Sequence, residues 1–150
     1  MKRRIGAGTY LLSMSVAIIF WSVAITLICE KLVVPGYISP PLFKLSVSIL
    51  GLVFAVFFYP MSAARLRDLN VPAWSVKFLS FPLIAVIILP LLCFLSGPRW
   101  ENDYGPQSTP SGFFKITAAF VAFGIASCAL YSALTTLHGT LYILLSQGIR

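Results

Sequence analysis

Acid is what this sequence has least of. Its 150 residues include 4 Asp and Glu in all, against 11 Lys and Arg, and 1 histidine. The acids are Glu30, Asp68, Glu101 and Asp103, and no two of them share an apolar run, which excludes the paired carboxylates of buried acid–base chemistry. No Gly-x-Ser-x-Gly elbow, Gly-Lys-Ser/Thr phosphate loop or His-Glu-x-x-His metal pair occurs. An enzyme is therefore not the expected class, and no cofactor or metal is implied. Cysteine is also scarce: Cys29, Cys93 and Cys128 lie in or at the edge of apolar runs without close spacing. That pattern excludes a disulfide framework or zinc site and makes each a small apolar packing residue. His138 has no carboxylate near it in sequence and reads as a capping or hydrogen-bonding residue, not a proton relay.

Charge of either sign is short as well. Charged residues make up 10% of the chain and hydrophobic residues 59%, with a mean hydropathy of +0.93. A soluble domain cannot be covered with so little charge. The apolar residues fall in runs long enough for the roughly 20 residues of a spanning helix, so the expected solvent is lipid. A net charge of +7 would suggest nucleic acid in a soluble protein. Here the cations flank apolar runs, where they set topology and meet anionic phospholipid headgroups, so no nucleic-acid partner is expected.

What is present reads as an all-α, polytopic transmembrane helical bundle of four spans forming a single domain over 1–150. The first helix is expected over 10–29, uncleaved, since its apolar stretch exceeds a signal h-region. Pro35-Gly36 and Pro40-Pro41 separate it from a second helix, which starts near Leu42 and has a kink expected at Pro60. Asn70 before Val71-Pro72 is the stop signal. The third span, 74–95, contains Pro82 and Pro90 and is expected to be proline-bent. A re-entrant hairpin is the rival reading, and the length of the apolar stretch favours a full crossing. A Gly/Pro-punctuated polar loop occupies 96–112, and the fourth helix runs from Phe113.

On this topology Lys2, Arg3, Arg4, Arg65, Arg67, Lys77 and Arg150 fall on one side, and Lys31, Lys44, Arg99 and Lys115 on the other. The larger group places both termini in the cytoplasm of a bacterial inner membrane and the 96–112 loop outside.

The segment Arg65-Leu66-Arg67-Asp68 followed by Asn70, Pro72 and Trp74 is a helix end with two cations, a carboxylate three residues on and an interfacial tryptophan. The plainer reading is a topology-setting loop. The sharper one is a lipid or partner contact made by Arg4, Arg65, Arg67, Asp68 and Trp74, with Asp68 orienting an arginine fork and spare donors facing lipid phosphate. Asn102, Tyr104, Gly105 and Pro106 read as a structured turn rather than a cation site. Ala118, Ala122 and Ala126 recur every four residues and are expected to pack the fourth helix, with Ser48, Gly51 and Ala55 of the second as its mate.

Arg65-Leu66-x-Asp68-x-Asn70-x-Pro72-x-Trp74 resembles the Arg-Arg-Leu-His-Asp-x-Gly-x-Ser-x-Trp-Trp signature of domain of unknown function family 805, the YhaH-like inner-membrane proteins. Asn102-x-Tyr104-Gly105-Pro106 resembles that family's Asn-Arg-Tyr-Gly-Pro segment, and Arg4-Ile5 with Tyr10 its basic approach to the first span. Ala7, Ala64, Arg67 and Ser75 depart from the pattern, which makes this a divergent member. The resemblance implies a membrane location and no particular activity. Among function classes, an accessory or interaction protein of the cell envelope with a membrane-protein partner is expected first, and a small transporter or lipid-handling protein second.

Overall fold

The computed structural model describes residues 4–108 and 112–146. Lys2, Arg3 and Arg150, counted above among the flanking cations, lie outside the described residues. Helix α1 spans Ala7–Leu27 and continues as a π-helical turn over Ile28–Val33. Helix α2 spans Pro40–Asp68, a 3-10 helix spans Ala73–Ser80, α3 spans Pro82–Phe94 and α4 spans Phe113–Ser146. Apolar composition sets the long helices and local chemistry sets their ends. Gly36 at φ +78 closes α1, with its N–H bonded to the Val33 carbonyl at 2.9 Å. Pro40 and Pro41 occupy the first turn of α2, where the missing N–H costs nothing. Asn70, at φ 60, ends α2 as expected, and the Val71 N–H returns to the Leu66 carbonyl at 2.9 Å. The α2 helix runs without interruption past Pro60.

Helices α1, α2 and α4 are each long and apolar enough to cross a membrane. The 74–95 stretch, expected as one bent span, consists of two helices that meet at 119°. Pro82 does not sit inside a helix but begins α3, and Phe81 before it is extended at φ −92, ψ 114. The proline ring excludes the helical region for its predecessor, so the chain turns there. The turn between these two helices is tied to α2 by a 2.7 Å hydrogen bond between the Tyr59 and Ser80 hydroxyls. Tyr59 lies about 14 Å along the axis from the end of α2 at 1.5 Å per residue, roughly half the 30 Å hydrocarbon thickness.

Two hydrophobic clusters lie at opposite ends of the bundle. One joins Ile5, Tyr10, Met14, Ala64, Leu66, Leu79 and Leu92, and the other Ile25, Cys29, Val33, Phe43 and Ala133. The first contains the start of α1, the end of α2 and the end of α3. The second contains the end of α1, the start of α2 and the later part of α4. Helix α4 thus runs parallel to α1, its main packing partner, and Ser146 lies at the opposite end of the bundle from Arg4. Arg4 and Ser146, the ends of the described chain, are therefore apart, and by length and composition the chain offers three spans, or four if the bent pair is one.

The seam between α1 and α4 is made of small residues seven apart. Helix α4 buries Ala119, Ala126, Ala133 and Thr140, and α1 buries Ser15, Ser22 and Cys29. A seven-residue repeat is 3.5 residues per turn, which keeps one narrow stripe facing its partner over many turns. Of the expected face, Ala126 is on this stripe, whereas Ala118 and Ala122 are half-buried beside an outward groove with Phe114, Val121 and Ile125. A four-residue period drifts off a parallel seam within a few turns. The proposed mate on α2 is also displaced, since Ser48, Gly51 and Ala55 belong to a helix that packs mainly on α1 and the 3-10 helix.

Candidate functional site

The last turns of α2 carry Arg65 and Asp68 on one face, three residues apart, where side chains meet. Both are buried: Arg65 has 0% of its surface exposed and Asp68 1%. A guanidinium without water must find acceptors in protein. Arg65 Nε donates to the Leu92 carbonyl at 2.7 Å and Nη1 to the Ile5 carbonyl at 3.3 Å. Its Nη1 also bonds Asp68 Oδ2, and Nη2 bonds the Leu95 carbonyl. Helix α3 ends at Phe94, so the Leu92 and Leu95 carbonyls have lost their helical partners, and the helix dipole is negative there. Arg65 is thus a cap supplied to α3 from another helix.

Asp68 Oδ1 accepts from Arg4 Nε at 3.2 Å, so one carboxylate bridges two arginines. Arg4 Nη1 donates to the carbonyls of Gly105 at 2.6 Å and Trp100 at 3.5 Å, and Nη2 donates to the Pro98 carbonyl at 3.4 Å. The loop after α3 is therefore clasped to the start of α1 and the end of α2. Gly97 makes the approach possible. A Cβ there would stand 2.5 Å from Asp68 Oδ2 and 2.7 Å from the Asp68 carbonyl. The cluster holds two cations and one carboxylate, and removing the carboxylate would leave buried charge unpaired at a cost of about 3 to 5 kcal/mol.

Asn102 completes the clasp. Its Nδ2 donates to the Arg67 carbonyl at 2.9 Å and its Oδ1 accepts from the Tyr104 N–H at 3.0 Å. The Asn102 and Gly105 backbones exchange hydrogen bonds at 2.9 and 3.2 Å, with Gly105 at φ +117. Pro106 follows at the exposed edge.

The structure thus brings Arg4, Arg65, Asp68, Asn102 and Gly105 into one network, adds Tyr104 through its backbone, and reaches Arg67 through its carbonyl. Arg67 directs its own Nε at the Ala63 carbonyl, 3.2 Å away. Trp74 stands apart, exposed and set edge-on to Phe78. Arg4 and Arg65 were expected to keep spare donors for lipid phosphate, but both are turned inward onto backbone carbonyls. Their loop, 96–108, was expected at the far end of the bundle and instead lies against the end of α2. Sequence reasoning missed Gly97 and the α3 carbonyls because an interhelical contact leaves no spacing signal. Tyr10, noted in the sequence only for the family resemblance, is fully buried and hydrogen-bonded to Ser62 at 2.9 Å.

Beside this network lie two adjoining cavities. A crevice of about 620 Å³ between α1, α2, α3 and α4 is lined almost wholly by apolar side chains, among them Met14, Trp21, Phe54, Phe58, Leu89 and Phe123, with Gly51 at its wall. A second, more polar pocket of about 300 Å³ is lined by Gly6, Gly8, Asp68, Ser96, Gln107, Ser108 and Ala119. Leu11, Cys93 and Phe94 line both, so the two adjoin at these side chains.

A family model described as Protein of unknown function (DUF805) matches residues 1–106, which contain the whole arginine–aspartate clasp. No curated protein and no solved structure matches the chain.

Proposed function

The chain belongs to the DUF805 family of proteins of unknown function, and from that premise we propose that it is a lipid-binding protein of the bacterial cytoplasmic membrane. It crosses the bilayer three times and dips in once, through the hairpin formed by the 3-10 helix and α3. The observation that carries the lipid-binding reading is the apolar crevice. Its size falls within the roughly 300 to 1,000 Å³ of ligand sites, yet its lining offers no path of charged groups for a polar solute. The buried arginines serve to hold the hairpin that frames it. Arg4, Arg65, Arg67, Arg99 and Lys115 share one end and Lys31 and Lys44 the other, a distribution that supports the first end as cytoplasmic. The N-terminus is then cytoplasmic and the far end of α4 is outside.

Filling the crevice tests this reading. A Cβ at Gly51 meets nothing within 4 Å, so Gly51→Phe adds a ring to the crevice wall without a backbone clash. Native mass spectrometry of protein released from lipid nanodiscs should find a retained phospholipid on the parent chain and about tenfold less on Gly51→Phe and on Leu89→Trp. Equal retention by all three, at equal thermal stability, refutes lipid binding in the crevice.

An accessory role is favoured by a separate feature, the outward groove of α4 at Ala118 and Ala122. Small residues there permit the close approach of another helix. In that reading the protein docks a membrane partner and has no catalysis of its own.

A further inference from the structure

We infer that the outward face of α4 is the docking surface for a second copy of this chain, with the two α4 helices side by side and parallel in one membrane. The surface is separate from the crevice, and the inference does not rest on lipid binding.

Helix α4 buries Ala119, Ala126, Ala133 and Thr140 along its seam with α1. On the opposite side of the helix, Val121, Gly124, Cys128, Tyr131, Thr135 and His138 recur at alternating steps of three and four residues. That spacing keeps one stripe turned toward a neighbouring helix in a left-handed pair. All six are exposed, Tyr131 by 73%. From Val121 to His138 the stripe runs about 26 Å at 1.5 Å per residue, close to the 30 Å of the hydrocarbon core.

The chemistry of the stripe does not suit lipid. On α2 the exposed face carries Leu45, Ile49, Leu52 and Val56, whereas five of the six stripe residues on α4 are polar, small or both. Thr140 lies against Cys29, next to Glu30 where the first span ends, so Tyr131 is about 14 Å inside that end and near the middle of the bilayer. Among the described residues, the Tyr131 hydroxyl and the His138 ring have no hydrogen-bond partner, and hydrocarbon supplies none. A Cβ on Gly124 would meet nothing within 4 Å. This glycine, which weakens a helix relative to alanine, therefore serves no contact within the chain.

A second copy is the occupant that this chemistry fits. Copies inserted in the same orientation carry the same residues at the same depth, and a two-fold axis along the membrane normal sets each stripe residue against its own counterpart. Hydroxyl and imidazole groups both donate and accept, so Tyr131, Thr135 and His138 can each bond their equivalents. Gly124 facing Gly124 lets the two backbones approach closely. Helix α4 has no Lys, Arg, Asp or Glu between Lys115 and Ser146, so no like charges are brought together.

The cysteine already on the stripe tests the contact in native membranes. In full-length protein carrying Cys29→Ala and Cys93→Ala, oxidation by copper phenanthroline in air should join Cys128 of two copies into a disulfide-linked dimer. With Cys128→Ala added, Val121→Cys and Thr135→Cys should cross-link as Cys128 does, and Ile125→Cys, off the stripe, about tenfold less. Equal cross-linking at Ile125→Cys would mean random collision and overturn the inference. A product whose mass is not twice that of the chain would give the face to a different protein and overturn the assignment to a second copy. Sedimentation in detergent measures the association itself. The parent chain and Leu52→Trp, altered on the lipid-facing side of α2, should dimerise alike. Gly124→Leu should dimerise about tenfold more weakly at unchanged thermal stability, since its side chain meets nothing within the protomer. A parent chain that stays monomeric, or a Gly124→Leu variant that dimerises as tightly as the parent, overturns the inference.

Discussion

Asp68 holds its position between two guanidiniums because every oxygen it offers is engaged and no water competes. The same crowding governs Gly97. This glycine is required for contact, not for an unusual backbone angle, since any side chain there strikes both the carboxylate and the carbonyl of Asp68. Gly97→Ala should therefore destabilise the protein by about 1 to 3 kcal/mol, the usual range for overpacking. Thermal unfolding in detergent measures it. A melting curve that coincides with the parent chain's would mean the loop can move off Asp68 at no cost, and the clasp would then be no more than a surface contact. Arg65 and Asp68 were legible in the sequence as a pair three residues apart at a helix end. Their burial was not, because the groups that surround them are backbone carbonyls of Ile5, Leu92 and Leu95, and any residue type supplies a carbonyl.

Helices show the same division. The ends of α1 and α2 follow from Gly36, Pro40 and Asn70, each of which acts through its own backbone. The stripe on α4 does not, because two small-residue periods are written on it and only the neighbour selects one. Ala126→Phe should disrupt the seam with α1 and lower stability by about 1 to 3 kcal/mol. Ala122→Phe, on the outward groove, should stay within about 0.5 kcal/mol of the parent chain. Differential scanning fluorimetry of the two variants side by side checks the pair, and the reverse order of effects would restore the four-residue face. The 74–95 stretch divides at Phe81 for a local reason, the proline after it. Whether such a break gives a bent span or a return depends on what receives the far end. Here Arg65 receives it, by capping α3 beside the end of α2.

At the scale of the whole molecule, that cap fixes the path of everything after it. With α3 held next to α2, the 96–108 loop returns to the start of α1, and α4 has to run parallel to α1. Cysteine variants in a background with Cys29, Cys93 and Cys128 replaced by Ala should report this. Asn70→Cys and Ser108→Cys should react with an impermeant maleimide from the same side of sealed vesicles, and Tyr37→Cys from the other. Ser108→Cys reacting together with Tyr37→Cys would show a full third crossing. The sequence by itself determined the solvent, the helical class, the family and the ends of the first two helices, because composition and turn chemistry act within a few residues. It also brought the candidate residues into view one segment at a time. Only the tertiary structure decided that the third segment turns back, that α1 and not α2 is the mate of α4, and that a crevice remains between them. Those outcomes rest on contacts between residues as far apart in the chain as Arg4 and Gly105, and no local pattern encodes which distant carbonyl a buried guanidinium will find.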